Sequence, residues 1–209
     1  MAGRHERGIN IMKELFTKSK LKKIEKLAKQ LIVLLGDDPE RPGMVDTPKR
    51  FAKACAEWFE GMQYTNAEIA EMFNKVFDEP SDDLQIKKDI KVFSHCEHHI
   101  ALMYDMDVIV GYIPYNNKVI GLSKISRICE MAARRFQLQE RLCTDIAEII
   151  HLVTGSDDVI VIISGKHSCE TSRGVKKASD GRFTSSHITG RFKTNPMLRQ
   201  EFYMLAQMQ

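Results

Sequence analysis

Residues 108–136 of the chain read VIVGYIPYNNKVIGLSKISRICEMAARRF. The segment opens with β-branched residues and then reaches a proline, which predicts a strand over 108–113. Asn116 and Asn117 are typical turn residues, and the apolar pair after them predicts a second short strand. From Ser123 the apolar positions recur at steps of three and four, so a helix is expected to begin there. Strand, turn and helix in direct succession indicate a fold that mixes helices and sheet.

The segments on either side extend this mixture. Long strands around two consecutive helices favour an α+β fold over a doubly wound parallel sheet. We divide the chain into an N-terminal helical region, residues 1–80, and a second domain, residues 81–209. We expect helices over 21–35, 48–61 and 66–76, then from Ser123 to a break near Phe136, from that break to Gly155, and after Asn195-Pro196. We expect strands over 90–96, 108–113, 119–120 and 159–163, and a hairpin of strands over 182–192.

Composition and charge exclude several classes of protein. The 209 residues are 43% hydrophobic and 28% charged, which is typical of globular chains and excludes wholesale disorder. A net charge of +3 is too small to indicate nucleic acid as the main partner. No apolar run approaches the roughly 20 residues of a membrane span, and no apolar signal segment follows the charged N-terminus. We therefore expect a cytoplasmic protein with neither a membrane nor a nucleic acid as its partner.

The densest group of metal-binding residue types is His95-Cys96-Glu97-His98-His99. Cys96 and His99 are three residues apart, so one tight turn can bring a thiolate and an imidazole to one ion. A second group, His167 and Cys169, follows a predicted strand, and strand ends are common places for a shared site. Three protein ligands and one open position would make a zinc ion catalytic. The spacing matches no standard zinc-finger pattern, so from these residues alone ordinary core or surface roles remain an alternative.

A second group of residues is basic and polar. The helix that begins in the segment Gly121-Leu122-Ser123-Lys124 has a positive N-terminal end, which favours anions. In the segment 137–142, Gln139 and Glu140 are able to contact a purine edge, although a surface helix start explains them equally well. For each basic residue taken singly, a solvated surface charge is the simpler interpretation. The basic candidates are Lys124, Arg127, Arg173, Arg50 and Lys53.

Together these motifs resemble the successive motifs of the GTP cyclohydrolase I family. The resemblance extends from about Leu21 to the last helix, and it is specific because several motifs occur in the right order and spacing. The motifs are Arg41-Pro42-Gly43, Thr47-Pro48-Lys49-Arg50, Cys96-Glu97-His98-His99, Gly111-Tyr112-Ile113-Pro114, Gly121-Leu122-Ser123-Lys124 with Arg127, Gln137-Leu138-Gln139-Glu140-Arg141-Leu142, and His167-Ser168-Cys169 with Arg173-Gly174.

The resemblance implies a tunnelling fold, in which an antiparallel sheet carries two helices on one face and follows an N-terminal helical region. In such a family the sheets of neighbouring subunits join into a barrel-shaped ring, which removes exposed strand edges. Two five-membered rings stack into a homodecamer, and the active sites lie between subunits. The residues of one site would therefore come from more than one copy of the chain.

The resemblance also implies the reaction and the roles of residues. GTP would be hydrolysed to formate and 7,8-dihydroneopterin triphosphate, with Zn²⁺ held by Cys96, His99 and Cys169. His167 would protonate N7 of the guanine, and His98 would transfer protons at the ribose. The remaining implied contacts are Ser123 with the ribose hydroxyls, Glu140 and Gln139 with the guanine edge, Lys124, Arg127, Arg173, Arg50 and Lys53 with the triphosphate, and Leu122 with the substrate. Folate, pterin-cofactor and deazaguanine routes all begin with this reaction, and the sequence does not select among them.

Two alternatives remain open at this point. One is a nitrile reductase of the same tunnelling fold, which would act on a deazaguanine with a nucleophilic cysteine and no zinc. The other is a structural zinc module whose ion is enclosed by four ligands. The chain also departs from the family at Glu170-Thr171-Ser172 and in the segment Ile100–Asp107, which we expect to be a loop of altered length and composition.

Overall fold

A computed structural model describes residues 15–173 and 181–208 of the chain. Two compact units are distinguished, one through Glu57 and the other from Trp58. Gly174, part of one predicted motif, and residues 1–14 of the predicted helical region lie outside the described residues.

The first unit contains α1 (Lys18–Leu34) and α2 (Thr47–Trp58), which continues to the first residue of the second unit. Thr17 caps α1, since its hydroxyl accepts a hydrogen bond from the backbone N–H of Lys20 at 3.3 Å. The chain leaves α1 through Gly36, whose φ of +90° lies in the left-handed region that glycine tolerates. The predicted end of this helix is therefore confirmed. Several large apolar residues on and just after α1 remain exposed, namely Leu27, Leu31, Val33, Leu34 and Leu35.

The second unit begins with short helices that pack against the sheet domain. A 3-10 helix (Glu60–Gln63) precedes α3 (Asn66–Met72), which opens with a capping box between Thr65 and Glu68. Because α3 packs on α5 and buries Ile69 completely, it belongs to the second unit. The two compact units divide after Glu57, whereas the predicted boundary lies after residue 80.

The helix predicted over 66–76 is wrong at its C-terminal end. It ends at Met72, and Val76–Asp78 forms β1, which pairs antiparallel with β4 (Lys118–Ile120). The short strand after the Asn116-Asn117 turn therefore pairs with a segment some forty residues earlier, with Val76 opposite Ile120. Local patterning did not indicate this pairing, because neither strand carries information about its distant partner.

Within the described residues, the main sheet has five strands in the order β5-β2-β3-β6-β7. Neighbouring strands are antiparallel except for β5, which runs parallel to β2. The mixed α+β architecture predicted from the sequence is confirmed. The strand bounds are β2 (Gln85–Cys96), β3 (Ala101–Tyr112), β5 (Phe136–Gln137), β6 (Val159–His167) and β7 (Phe183–Ile188).

Two consecutive helices cover one face of this sheet. α4 (Leu122–Ala133) and α5 (Gln139–Thr154) contribute to one buried apolar cluster with β2, β3 and β6. α5 ends at Gly155, whose φ of +72° allows the left-handed C-cap, as predicted. On the opposite face, Phe202 of α8 (Pro196–Gln207) packs so closely over Gly111 that an added Cβ would lie 2.6 Å from its ring.

Two predictions for the strands need correction. Only the first half of the hairpin predicted over 182–192 is a strand, β7, and Arg191–Thr194 forms the short helix α7. The segment 100–107, predicted to be an altered loop, is largely the first half of β3. Its irregularity is a bulge between Tyr104 and Asp107, where Asp105 has a positive φ of 50°. Arg182 stabilises this bulge by donating to the carboxylates of Asp105 and Asp107.

Among the described residues, no helix is long and apolar enough to span a bilayer.

Gly61 is a close contact point between the 3-10 helix and the end of α4. A Cβ at this position would lie 2.1 Å from the carbonyl oxygen of Met131 and 2.9 Å from that of Arg134. We expect Gly61→Ala to lower the free energy of unfolding by about 1–3 kcal/mol, because backbone must move to accept the methyl group. In a thermal unfolding experiment, this loss should lower the melting temperature by about 2–4 °C per kcal/mol. Gly43→Ala is the matched control, since its only close atom is the mobile end of Arg41, and equal losses in the two variants would contradict the argument.

Candidate active site

The ends of two strands bring the candidate metal ligands together. Because β3 pairs antiparallel with β2 on one side and β6 on the other, β2 and β6 run in the same direction and end at the same edge of the sheet. Cys96 is the last residue of β2 and His167 the last of β6, while Cys169 lies in the short helix α6 (Ser168–Thr171). One ligand atom from each of these three residues lies within 4.8 Å of the other two. The structure thus brings these residues of the two predicted groups together at one edge of the sheet.

The two sulfurs in this group influence each other. Burial is the largest cause that raises the pKa of the Cys169 thiol, and the neighbouring Cys96 sulfur raises this pKa further. Cys96 is buried and both residues are free thiols. Two adjacent thiolates repel each other, and a divalent cation bound between them would remove this penalty. Two cysteines and one histidine, with a fourth position left for water or substrate, are a donor set found in catalytic zinc sites. The side chains present therefore fit a zinc ion.

Two further histidines lie on the turn that connects β2 with β3. His98 Nδ1 is 3.8 Å from the sulfur of Cys96. The backbone N–H of His99 donates to the carbonyl of Cys96 at 3.4 Å, but its imidazole is not part of the group of ligand atoms among the described residues. Of the predicted ligand set, the structure thus brings Cys96 and Cys169 together, and it adds His167 rather than His99.

This turn is anchored to the start of α5 by residues that sequence reasoning left without a role. The backbone N–H of Glu97 donates to the carbonyl of Gln137 at 3.1 Å, and Arg141 donates to the Glu97 carboxylate. Arg141 Nε also donates to Gln137 Oε1 at 3.0 Å, and Gln137 Nε2 donates to Asp145 at 2.8 Å. Glu97, Gln137 and Arg141 lie inside two of the predicted motifs, and this was the signal available in the sequence. The network fixes the turn that carries the histidines.

Gln139, predicted to contact the guanine, has a different set of partners. It is the first residue of α5 and only 1% exposed. Both hydrogens of its amide nitrogen are used, because Nε2 donates to the carbonyls of Ile163 and Phe183, each at 2.9 Å. Its Oε1 lies 3.0 Å from Nε2 of His167. The side-chain amide of Gln139 therefore has no hydrogen left to donate to a nucleobase.

His167 sits in a half-buried environment with carboxylates nearby. Burial is the largest influence and lowers its pKa, while the charges of Glu140 and Glu170 oppose the shift. Glu140 lies in the first turn of α5 and is exposed. Glu140, which is predicted to bind the guanine, is therefore close enough to His167, the predicted proton donor, to influence its pKa.

The remaining predicted residues lie on three separate elements. Leu122, Ser123, Lys124 and Arg127 lie on the first two turns of α4, where Lys124 is half-buried and the other three are exposed. Arg173 follows α6 and is exposed. Arg50 and Lys53 lie on α2 in the first unit, where Arg50 pairs with Asp46 at 3.3 Å.

Comparison with known proteins shows to which family the chain belongs. The sequence profile described as GTP cyclohydrolase I matches residues 24–207. The chain belongs to the GTP cyclohydrolase I family. All of the predicted site residues lie within the matched region, and the alternative of a nitrile reductase is set aside because the matched family is a different one.

Curated relatives cover most of the chain. A GTP cyclohydrolase 1 of Clostridium acetobutylicum is 53% identical over 182 residues, which is 85% of this chain and 92% of the relative. Those of Clostridium beijerinckii and Clostridium botulinum (strain Kyoto / Type A2) are 52% and 50% identical, each over 88% of this chain and over 95% and 96% of their own length.

The environments of the cysteines predict an order of chemical reactivity. Burial raises the pKa of Cys143 to about 11 and that of the fully buried Cys129 further still. In metal-free native protein we expect iodoacetamide to modify the partly exposed Cys169 faster than Cys129 or Cys143, by on the order of tenfold or more. Peptide mass spectrometry measures the three rates separately.

Addition of zinc supplies the second arm of this experiment. Zinc should slow the modification of Cys169 and leave the two buried cysteines unchanged, because a metal-bound thiolate is a poorer nucleophile. A Cys169 rate that ignores zinc, or that equals the Cys143 rate, would contradict the assignment of this group as a metal centre.

Proposed function

We propose that this chain is a GTP cyclohydrolase I, which hydrolyses GTP to formate and 7,8-dihydroneopterin triphosphate. The observation that carries the proposal is the group of Cys96, His167 and Cys169 at one edge of the sheet, in a chain that belongs to this family. The reaction must open the imidazole ring of guanine at C8, which is a poor electrophile. Such a site needs an activated water, a proton donor for the ring nitrogen and a means of holding the base.

The metal of the proposed site is zinc, held by Cys96, Cys169 and His99. The closeness of the two sulfurs supports the first two ligands, and the family resemblance supports His99. The bound ion would supply Lewis-acid activation of water near neutral pH. His99 lies on the turn that directly follows Cys96. The alternative third ligand is His167, since one of its ring nitrogens lies within 4.8 Å of both sulfurs.

Proton transfer is assigned to two imidazoles. His167 would donate a proton to N7 of the guanine, which makes C8 more electrophilic, and imidazole is the side chain most often used for such proton transfer. His98 would transfer protons at the ribose ring oxygen, and its position beside Cys96 supports a place close to the reacting atoms. Ser123 would contact the ribose hydroxyls during the rearrangement that follows ring opening.

Substrate binding is assigned to charged groups at the start of α5, on α4, on α2 and after α6. Glu140 would accept the N1–H and the exocyclic amine of guanine, and its exposure at the start of α5 leaves the carboxylate accessible. The N-terminus of α4 has the polarity that attracts phosphate. The proposed triphosphate ligands are Lys124, Arg127, Arg173, Arg50 and Lys53, with Leu122 as a further substrate contact.

We also propose that the chain assembles into a decamer of two stacked five-membered rings with composite active sites. In the part of the chain that the structure describes, β7 pairs with β6 alone, so its outer edge is free to receive a strand from another copy. The exposed apolar residues of α1, including Leu27 and Leu31, offer a second surface for association. The residues proposed for one site would then come from neighbouring copies.

The reaction and the metal are tested together on purified protein. Incubation with GTP and zinc should release formate and, after oxidation, give a fluorescent pterin. Cys96→Ala and Cys169→Ala should each lose zinc, measured by elemental analysis, and with it the turnover. Full turnover in a demonstrably metal-free preparation would contradict the metal assignment, and absence of formate from zinc-loaded wild type would overturn the function.

The same assay on two histidine variants decides the third ligand. His99→Ala should lose zinc, whereas His167→Ala should keep zinc and lose turnover. The reverse result would assign His167 as the ligand, in agreement with the grouping of its imidazole with the two sulfurs.

Recognition of guanine is tested at Glu140. Adenine presents an acceptor at N1 and lacks the 2-amino group, so the carboxylate discriminates between the bases. Glu140→Gln should lower kcat/KM for GTP about 30- to 5,000-fold, the equivalent of about 2–5 kcal/mol for a lost charge-assisted pair. Zinc content and melting temperature should remain unchanged.

Glu170→Gln is the matched control for this variant. Both carboxylates act on His167 electrostatically, but only Glu140 is assigned to the base. Similar losses of kcat/KM in the two variants would show that Glu140 acts through its electrostatic effect on His167. This result would contradict a role of Glu140 in recognising guanine. Near-normal turnover with reduced thermal stability would leave Glu140 as a helix-start residue only.

A further inference from the structure

Gln139 occupies an enclosed position between β6, β7 and His167. Its side-chain amide makes three polar contacts, to the carbonyls of Ile163 and Phe183 and to the imidazole of His167. Phe183 also places its ring edge-on to His167, with ring centroids 5.9 Å apart. The imidazole is thus held by the amide on one side and by an aromatic ring on another.

The chemistry of these contacts fixes the orientation of the amide. Two carbonyl oxygens lie 2.9 Å from Nε2, and carbonyls only accept hydrogen bonds. If the amide were rotated by 180°, its oxygen would face two other oxygens and both carbonyls would lose their donor. The side of the amide that faces His167 is therefore the oxygen, which is an acceptor.

An acceptor at this position determines which imidazole nitrogen carries the proton. Nε2 of His167 must be protonated to donate to Gln139 Oε1, so in the neutral ring the lone pair lies on Nδ1. We infer that Gln139 is a positioning residue that fixes the tautomer and the ring direction of His167. For its part in turnover, this inference rests on the function proposed above, in which His167 is the proton donor.

The residue type suits this task better than the obvious substitutes. A carboxylate would accept from His167 but has no hydrogen for Ile163 or Phe183. A lysine ammonium has three donors, enough for both carbonyls and for Nε2, but it would force the proton of the neutral ring onto Nδ1. Gln139 offers two donors and one acceptor in the arrangement that its three neighbours require.

These two substitutes separate a positioning role from a structural one. Gln139→Glu removes the bonds to the two strands and keeps the acceptor at His167. Gln139→Lys keeps donors for the strands and replaces the acceptor by a donor. If Gln139 only joined β6 to β7, Gln139→Lys would be the milder variant in every measurement.

The tautomer is measured directly by ¹⁵N NMR of the full-length, histidine-labelled chain without metal. A pH about 2 units above the ordinary histidine value of about 6.5 keeps the ring neutral. His167→Asn identifies the signals of this ring among the 7 histidines. We expect Nε2–H in the wild type and in Gln139→Glu, and Nδ1–H in Gln139→Lys. A second measurement follows GTP turnover with zinc bound, where Gln139→Lys should lower kcat on the order of 10²- to 10⁴-fold and more than Gln139→Glu.

The outcomes distinguish this inference from the proposed function. Nδ1–H at His167 in the wild type would overturn the inference, even if neither variant folds. Turnover in Gln139→Lys equal to or above that of Gln139→Glu would reduce Gln139 to a structural contact. Nε2–H in a wild type that does not hydrolyse GTP would instead overturn the proposed function and leave the tautomer assignment standing.

Discussion

The antiparallel pairing of β3 with both of its neighbours is the constraint on which the site depends. It makes β2 and β6 parallel to each other although they are far apart in sequence, so their last residues meet at one edge of the sheet. This arrangement places Cys96 and His167 at the same edge of the sheet, on either side of β3. The two helices on one face and Phe202 over Gly111 on the other bury the strands and keep this register.

The sequence predicted the parts of the fold that local physics determines. The helix ends at Gly36 and Gly155 and the cap of the last helix follow from residues that are neighbours in the chain. The wrong predictions concern segments whose structure depends on pairing with residues far away in the sequence. The strand at Val76 forms because β4 is available beside it, and the second half of the predicted hairpin turns into α7, where Gly190 enters with a positive φ.

For the candidate site, the sequence indicated which residue types to consider but not the direction in which each side chain points. The cysteines were recognisable from residue type and spacing, because few residues bind a metal. Gln139 shows the opposite case: its place beside Glu140 indicated a base contact, but the first residue of a helix can point inward, and only the packing of β6 and β7 shows that it does. Which imidazole lies nearest the sulfurs depends on turn geometry that residue spacing does not encode.

The bulge in β3 divides that strand into two independent halves. A residue gained or lost in a regular strand exchanges its inward and outward side chains, and so would spoil the apolar core that β3 forms beyond Val108. Because the bulge absorbs the extra residue at Asp105, to which Arg182 donates, the alternation of side chains in the core half of β3 does not depend on the register of the half that follows Cys96. The bulge is therefore a suitable point at which to introduce altered segments near Cys96 and His167 without disturbing the core half of β3.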